Sequence, residues 1–244
     1  MSEAERSYEA TWTIVDDLVR FGMRDACVSP GSRSTPIVLA LWRHPSVRVH
    51  VHLDERASGF FALGIAKGTG APVAVACTSG TAVAELLPAV VEASMSRTTL
   101  VLLTADRPPE LRDVGANQTI EQPGIFGSYV RASIDAPVPG DVHDAALWQE
   151  ITAEATRGSM GPPPGPVHLN LPFREPLVPA EIELGASEWT DIQQSISEDA
   201  EPEEVAALVD PLSSTTMRRW PWRSDSGPLR RAQSRVSRRP RSAH

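Results

Sequence analysis

The sequence predicts an α/β protein, a three-layer, doubly wound fold around a parallel sheet of about six strands. Three observations carry that prediction. From Tyr8 to Arg174 short apolar runs alternate with longer helix-like segments, the connections between them are short, and several runs end in a Gly- or Ser-containing turn that opens the next helix. Such alternation is the signature of a parallel sheet covered by helices on both faces.

The elements follow in order. A helix is expected over residues 8–21, then a strand over 25–29 that ends in a Pro-Gly turn. A helix over 35–42 leads to a strand over 47–53, and the charged triplet Asp54-Glu55-Arg56 opens a helix over 55–67. The apolar run 72–78 is a strand ending at Thr78-Ser79-Gly80-Thr81, from which a helix runs over 81–96. Strands over 98–104, 131–136 and 166–171 follow, with one further helix over 141–157. Residues 1–179 form one domain of ordinary size. Residues 180–216 read as an acidic linker, since 181–210 hold ten acidic residues and no Lys or Arg. Residues 217–244 read as a disordered basic tail or an out-of-frame read of GC-rich DNA, because Arg, Ser and Pro dominate and apolar residues are too few for a core.

Charge and composition narrow the function. The net charge of -8 divides into nine Arg and one Asp over 217–244, against 14 Lys+Arg and 30 Asp+Glu in the remainder. A body so short of cations is a poor partner for nucleic-acid phosphates. The longest uncharged stretch, 68–84, is broken by Gly70 and Pro72 and falls short of the roughly 20 apolar residues of a membrane span. The polar N-terminus lacks the pattern of a secretory signal, so a cytoplasmic location is expected. Cys27 and Cys77 sit in apolar runs and read as buried free thiols. His50 and His52, without a third ligand, are weak evidence for a metal. No GxGxxG, GxxxxGK[ST] or GxSxG motif occurs.

In an open parallel sheet ligands sit at the carboxyl ends of the strands. Four segments there combine chemistry with turn residues: Ser29-Pro30-Gly31-Ser32-Arg33-Ser34-Thr35-Pro36, Asp54-Glu55-Arg56, Thr78-Ser79-Gly80-Thr81, and Ala105-Asp106-Arg107-Pro108-Pro109 followed by Gly115-Ala116-Asn117-Gln118. The first offers backbone N–H groups, two hydroxyls and a guanidinium to an anion, although a helix capped by Ser34 or Thr35 explains all of it except Arg33. In the second, carboxylates at a helix start suit the dipole, while Gly59 and Gly64 each cost the helix about 1 kcal/mol and suggest close approach of another backbone or a ligand.

Taken together, these motifs, in this order and spacing, resemble the N-terminal part of the 2-succinyl-5-enolpyruvyl-6-hydroxy-3-cyclohexene-1-carboxylate synthases of menaquinone biosynthesis, which are thiamine diphosphate enzymes. The resemblance runs from about Tyr8 to Pro179 and includes Arg174-Glu175-Pro176-Leu177. It implies the pyrimidine-binding domain of a transferase that decarboxylates 2-oxoglutarate and adds the resulting carbanion to isochorismate. It makes Glu55 the catalytic carboxylate that hydrogen-bonds N1' of the cofactor's aminopyrimidine, places Thr78 at the cofactor, and assigns Ser32, Arg33, Arg107, Asn117 and Gln118 to the isochorismate site. It further implies a homodimer or higher assembly, with the small residues Ala57, Gly59, Ala62 and Gly64 lining a subunit contact, and Mg²⁺ or manganese held by a C-terminal diphosphate-binding domain. Two departures stand out. Glu85 replaces an Asn expected near the cofactor turn, and the sequence lacks the middle and C-terminal domains, so the chain alone is expected to be inactive. Two other readings remain open: one subunit of a split thiamine diphosphate decarboxylase, and a non-catalytic carboxylate-binding module.

Overall fold

The computed structural model describes residues 1–142 and 145–180; the linker and tail expected beyond Ala180 lie outside the described residues. Six strands form one sheet in the order β2-β1-β3-β4-β6-β5, and every neighbouring pair is parallel. The strands are β1 (Asp25–Val28), β2 (Arg48–Val51), β3 (Val73–Cys77), β4 (Leu100–Asp106), β5 (Ser133–Asp135) and β6 (Val167–Pro172). All six coincide with expected ones. β1, β3, β4 and β6 are buried at every position, which is why they read as continuous apolar runs rather than alternating ones.

Side chains alternate between two cores. Ala26, Val28, Ala74, Ala76, Val101, Leu103, Leu169 and Leu171 point into the core shared with α1 (Glu3–Arg20), α2 (Thr35–Arg43) and α6 (Ala145–Met160). On the opposite face Cys27, Val73, Val75, Cys77, Leu100 and Leu102 pack with α3 (Glu55–Thr69), α4 (Thr81–Glu85) and α5 (Leu87–Met95). The doubly wound, three-layer arrangement is therefore as expected. Both cysteines are buried free thiols, and burial pushes the Cys27 thiol up to about 12.

The helices depart from expectation in three places. Helix α1 starts five residues early, because Ser2 and Glu5 form a capping box: Glu5 N–H donates to Ser2 Oγ, and Ser2 N–H donates to the Glu5 carboxylate. The single helix expected over 81–96 is two, α4 and α5, joined at Leu86. Pro88 at the start of α5 has no N–H to give, and its ring crowds the carbonyl four residues earlier. The last helix starts at Ala145, preceded by a 3₁₀ turn at Pro139–Asp141.

Candidate active site

The chain leaves β1 toward β2 on one side and enters β3 on the other, so the carboxyl ends of β1 and β3 flank a topological switch point. The two turns that follow these strands touch there. A Cβ placed on Gly31 would lie 2.3 Å from Thr78 Cβ, so only glycine lets the turn after β1 rest on Thr78. The turn after β3 depends on Gly80, whose φ of +90° disfavours other residues and whose missing Cβ makes room for Gln118.

The expected substrate residues gather around this crevice. Arg107 leaves β4 and donates from Nη1 to Ser79 Oγ (3.1 Å) and from Nη2 to the Asn117 carbonyl (3.1 Å). Ser79 Oγ in turn donates to the Gln118 carbonyl (3.0 Å), and Gln118 Nε2 donates to the Ser79 carbonyl (3.0 Å). Gln118 adopts φ 55° to do so, a conformation that neither its composition nor its spacing announces. The Asn117 and Ser32 side chains are exposed and turned to solvent.

Arg33 is buried, 6% exposed, and reaches across the sheet to β6: Nη1 donates to the Phe173 carbonyl (2.8 Å) and Nη2 to Glu175 Oε1 (3.0 Å). Its Nε has no partner among the described residues. Burial, and then the neighbouring charge of Arg107, both work against its cation and hold its pKa below the usual value. Two guanidiniums, the charge of one acting on the other, are the cationic groups a carboxylate would seek here. The side-chain capping explanation of this segment fails: Ser34 is the N-cap residue of α2, but its Oγ donates to the Gly31 carbonyl and Thr35 Oγ1 to the Ser32 carbonyl, and Ser34 makes no side-chain capping bond to the first turn.

At the end of β2 the two carboxylates divide their tasks. Asp54 is the N-cap of α3 and accepts the Ala57 N–H at 2.9 Å, which is the structural role. Glu55 is partly buried and has no hydrogen-bond or ion-pair partner among the described residues. Its charge adds to burial in raising the thiol of Cys77, the last residue of β3. The histidines of this edge are otherwise engaged: His50 lies 2.8 Å from Asp25, and the His50 and His52 rings pack on Phe61. Glu85 is exposed at the end of α4, with no hydrogen-bond or ion-pair partner among the described residues.

The small residues of α3 do not form one stripe. Gly59 and Ala62 are buried, and a Cβ on Gly59 would lie 2.9 Å from Ala89 of α5, so these two serve packing within the chain. Ala57, Phe60, Phe61 and Gly64 are exposed.

A second group of residues lies beneath the crevice; Asp106 belongs to a strand-end segment named from the sequence, whereas Arg112, Asp135, His168 and Asn170 carried no site expectation. Asp106 is fully buried; its carboxylate accepts from the Arg107 N–H (2.7 Å), Asn170 Nδ2 (2.8 Å) and Arg112 Nη2 (2.9 Å). Burial nevertheless raises its pKa. Asp135 also feels burial, but the hydrogen bonds and charge of Arg112 prevail and hold it below the usual carboxylate range. Buried His168 lies 2.7 Å from Thr104 Oγ1. Because Thr104 gives its proton to Asn170 Oδ1, the imidazole donates from Nε2 and its Nδ1 is left to accept from Ser133. Desolvation lowers its pKa to about 4, so it is neutral. The legible signal was the polar pair His168 and Asn170 at alternate positions of a fully buried strand, which must be satisfied internally.

Among the described residues no group of three or more His, Cys, Asp or Glu is arranged to hold a metal ion, and no helix is long and apolar enough to cross a membrane.

Comparison with known proteins bears on the same residues. Residues 9–125 match the family described as thiamine pyrophosphate enzyme, N-terminal TPP binding domain. The chain is similar to the 2-succinyl-5-enolpyruvyl-6-hydroxy-3-cyclohexene-1-carboxylate synthase of Chloroflexus aurantiacus, 58% identical over 176 residues, covering 71% of this chain and 29% of that protein. The proteins of the same name from Rubrobacter xylanophilus and Thermobifida fusca are 57% identical over 166 residues and 49% identical over 179, covering 68% and 73% of this chain. The chain spans only 29% to 32% of the length of these relatives.

Proposed function

We propose that this chain is the N-terminal portion of a 2-succinyl-5-enolpyruvyl-6-hydroxy-3-cyclohexene-1-carboxylate synthase, a transferase of menaquinone biosynthesis; the match of residues 9–125 to the thiamine pyrophosphate enzyme N-terminal domain family and the similarity to proteins of that name support this reading. The whole enzyme would decarboxylate 2-oxoglutarate and add the resulting carbanion to isochorismate. Bound thiamine diphosphate supplies that carbanion chemistry.

The observation that carries this reading is the unpartnered carboxylate of Glu55, beside an Asp54 that already caps the helix. A helix start needs one cap, and a second, half-buried carboxylate left without a hydrogen bond is suited to share a proton with the ring nitrogen of an aminopyrimidine. Glu55 is thus the proposed catalytic residue, and Thr78, under the Gly31 turn, borders the same edge. Arg33 and Arg107 supply charge for the carboxylates of isochorismate, and Ser32, Asn117 and Gln118 supply neutral hydrogen-bonding groups. The described residues present no ligand set for Mg²⁺ or manganese, which in this reading the rest of the enzyme would hold.

The exposed rings of Phe60 and Phe61, 44% and 45% exposed, with Ala57 and Gly64 beside them, support a homodimer contact through α3. Two buried free thiols suit the reducing cytoplasm.

The test is Glu55→Gln in the full-length enzyme. Folding should be preserved, while C2-proton exchange of bound thiamine diphosphate, followed by NMR after acid quench, should fall by at least about a hundredfold, the scale of a general acid–base contribution. Exchange at the wild-type rate in the Gln variant would refute the assignment.

A further inference from the structure

Gln122 lies in none of the motifs that point to the site, yet it is fully buried next to it. Its side-chain oxygen accepts the Gly80 N–H at 2.7 Å, while its nitrogen donates to the Ala105 carbonyl (3.0 Å) and to Asn170 Oδ1 (2.9 Å). This orientation is fixed. Rotating the amide by half a turn would set its NH₂ against the Gly80 N–H and its oxygen against two acceptors. Asn170 is equally constrained, since its oxygen also accepts from Thr104 and its nitrogen donates to Asp106 and Asp135. Gln122 therefore clamps the turn after β3 to the ends of β4 and β6.

Ser79 precedes the clamped Gly80, and Arg107 and Gln118 both hang on it. Arg107 Nη1 donates to its hydroxyl, that hydroxyl donates to the Gln118 carbonyl, and Gln118 Nε2 donates to its carbonyl. Apart from the bond from Arg107 to the Asn117 carbonyl, the side chains of Arg107 and Gln118 have no other hydrogen bonds among the described residues. A shift of the turn would carry both groups with it.

We infer that Gln122 is a positioning residue: by holding the Gly80 N–H it fixes Ser79, and through Ser79 it aims the Arg107 guanidinium and the Gln118 amide at an anionic substrate. The inference rests on the proposed assignment of Arg107 and Gln118 to the isochorismate pocket.

A double-mutant cycle in the full-length enzyme tests it. Gln122→Met removes the clamp at similar size, and Ser79→Ala removes the hydroxyl through which the clamp acts. Each single variant should raise KM for isochorismate by about tenfold, as expected for a lost hydrogen bond to a charged group, with KM for 2-oxoglutarate and Kd for thiamine diphosphate within about twofold of wild type. The double variant should be no worse than the poorer single one, because residues that act in series couple. Multiplying effects, or equal damage to all three ligands, would overturn the inference and leave Gln122 a residue of stability alone. Should Gln122→Met fail to fold, Gln122→Asn, one methylene shorter, draws the acceptor away from Gly80 while keeping a neutral amide in the buried site, and the same comparisons apply. Arg107→Ala serves as the control for the underlying assignment. If it leaves the isochorismate KM unchanged, the pocket itself is misassigned; if it raises KM while the Gln122 variants do not, only the role of Gln122 fails.

Discussion

Arg33 and Arg107 follow β1 and β4 at the same carboxyl edge of the sheet, but their settings differ, and so should the consequences of losing them. Arg33 is buried and braces the Phe173 carbonyl, whereas Arg107 is partly open and rests on Ser79 and the Asn117 carbonyl. Alanine at either position in the full-length enzyme is expected to raise KM for isochorismate by about ten- to a hundredfold, the worth of a charge-assisted hydrogen bond, while thiamine diphosphate affinity stays within about threefold. Arg33→Ala should in addition lower Tm, since it strands a buried carbonyl and leaves a void; Arg107→Ala should hardly do so. Steady-state kinetics with cofactor titration, and thermal melts of both variants, check the two halves of this expectation. Loss of cofactor with unchanged isochorismate kinetics would reverse the assignment. The position of the two arginines after strand ends was legible in the sequence, because each follows an apolar run in a segment that contains Gly or Pro. The division between Asp54 and Glu55 was not legible, as two adjacent carboxylates at a helix start look alike until one is seen to accept the Ala57 N–H. Nor was Gln122, whose importance lies in partners 17 to 48 residues away.

At the scale of elements, α3 offers a direct test of packing against propensity. Gly59 and Gly64 have the same helix cost, but a Cβ on Gly59 would meet Ala89 of α5 at 2.9 Å, while one on Gly64 would meet nothing within 4 Å. Gly64→Ala should therefore stabilise the isolated chain by up to about 1 kcal/mol in urea unfolding. Gly59→Ala should destabilise it by about 1 to 2 kcal/mol, because overpacking outweighs the same propensity gain, and Ala89→Gly placed with it should recover part of the loss. Equal gains at both positions would mean that α3 and α5 are not so closely opposed. The strands were found from the sequence because four of them are buried on both faces and so form uninterrupted apolar runs between turn residues. The helix boundaries were less accessible. An Ala- and Val-rich segment hid the break at Leu86 that Pro88 imposes, and the capping box at Ser2 and Glu5 lies before the apolar periodicity begins.

For the molecule as a whole, neutral His168 ties stability to pH. Its folded pKa of about 4 lies below the 6.5 of an unperturbed histidine, so between those values the unfolded chain binds a proton that the folded one refuses. Stability from this group is complete above the unfolded pKa and is lost as pH falls toward the folded one. The raised pKa of Asp106 acts in the opposite sense, which a comparison of variants removes. The stability advantage of wild type over His168→Gln, from urea unfolding, should shrink by about 2 kcal/mol between about pH 7.5 and about pH 5. A constant difference would mean that His168 titrates normally. The fold class was legible because alternation of element types is a property of the whole sequence, but strand order was not: apolar runs do not say that the sixth strand enters between the fourth and the fifth. That order has a consequence for the sequence of events in folding. Strand β5 pairs with β6 alone, and one edge of β4 stays open until β6 arrives. A growing chain that has emerged only as far as residue 160 therefore holds a four-stranded sheet with an exposed apolar edge and a detached fifth strand, the condition in which nascent proteins recruit chaperones or one another. The strand that closes this gap also brings His168 and Asn170 beneath the crevice, so completing the sheet and setting the site in place are one event.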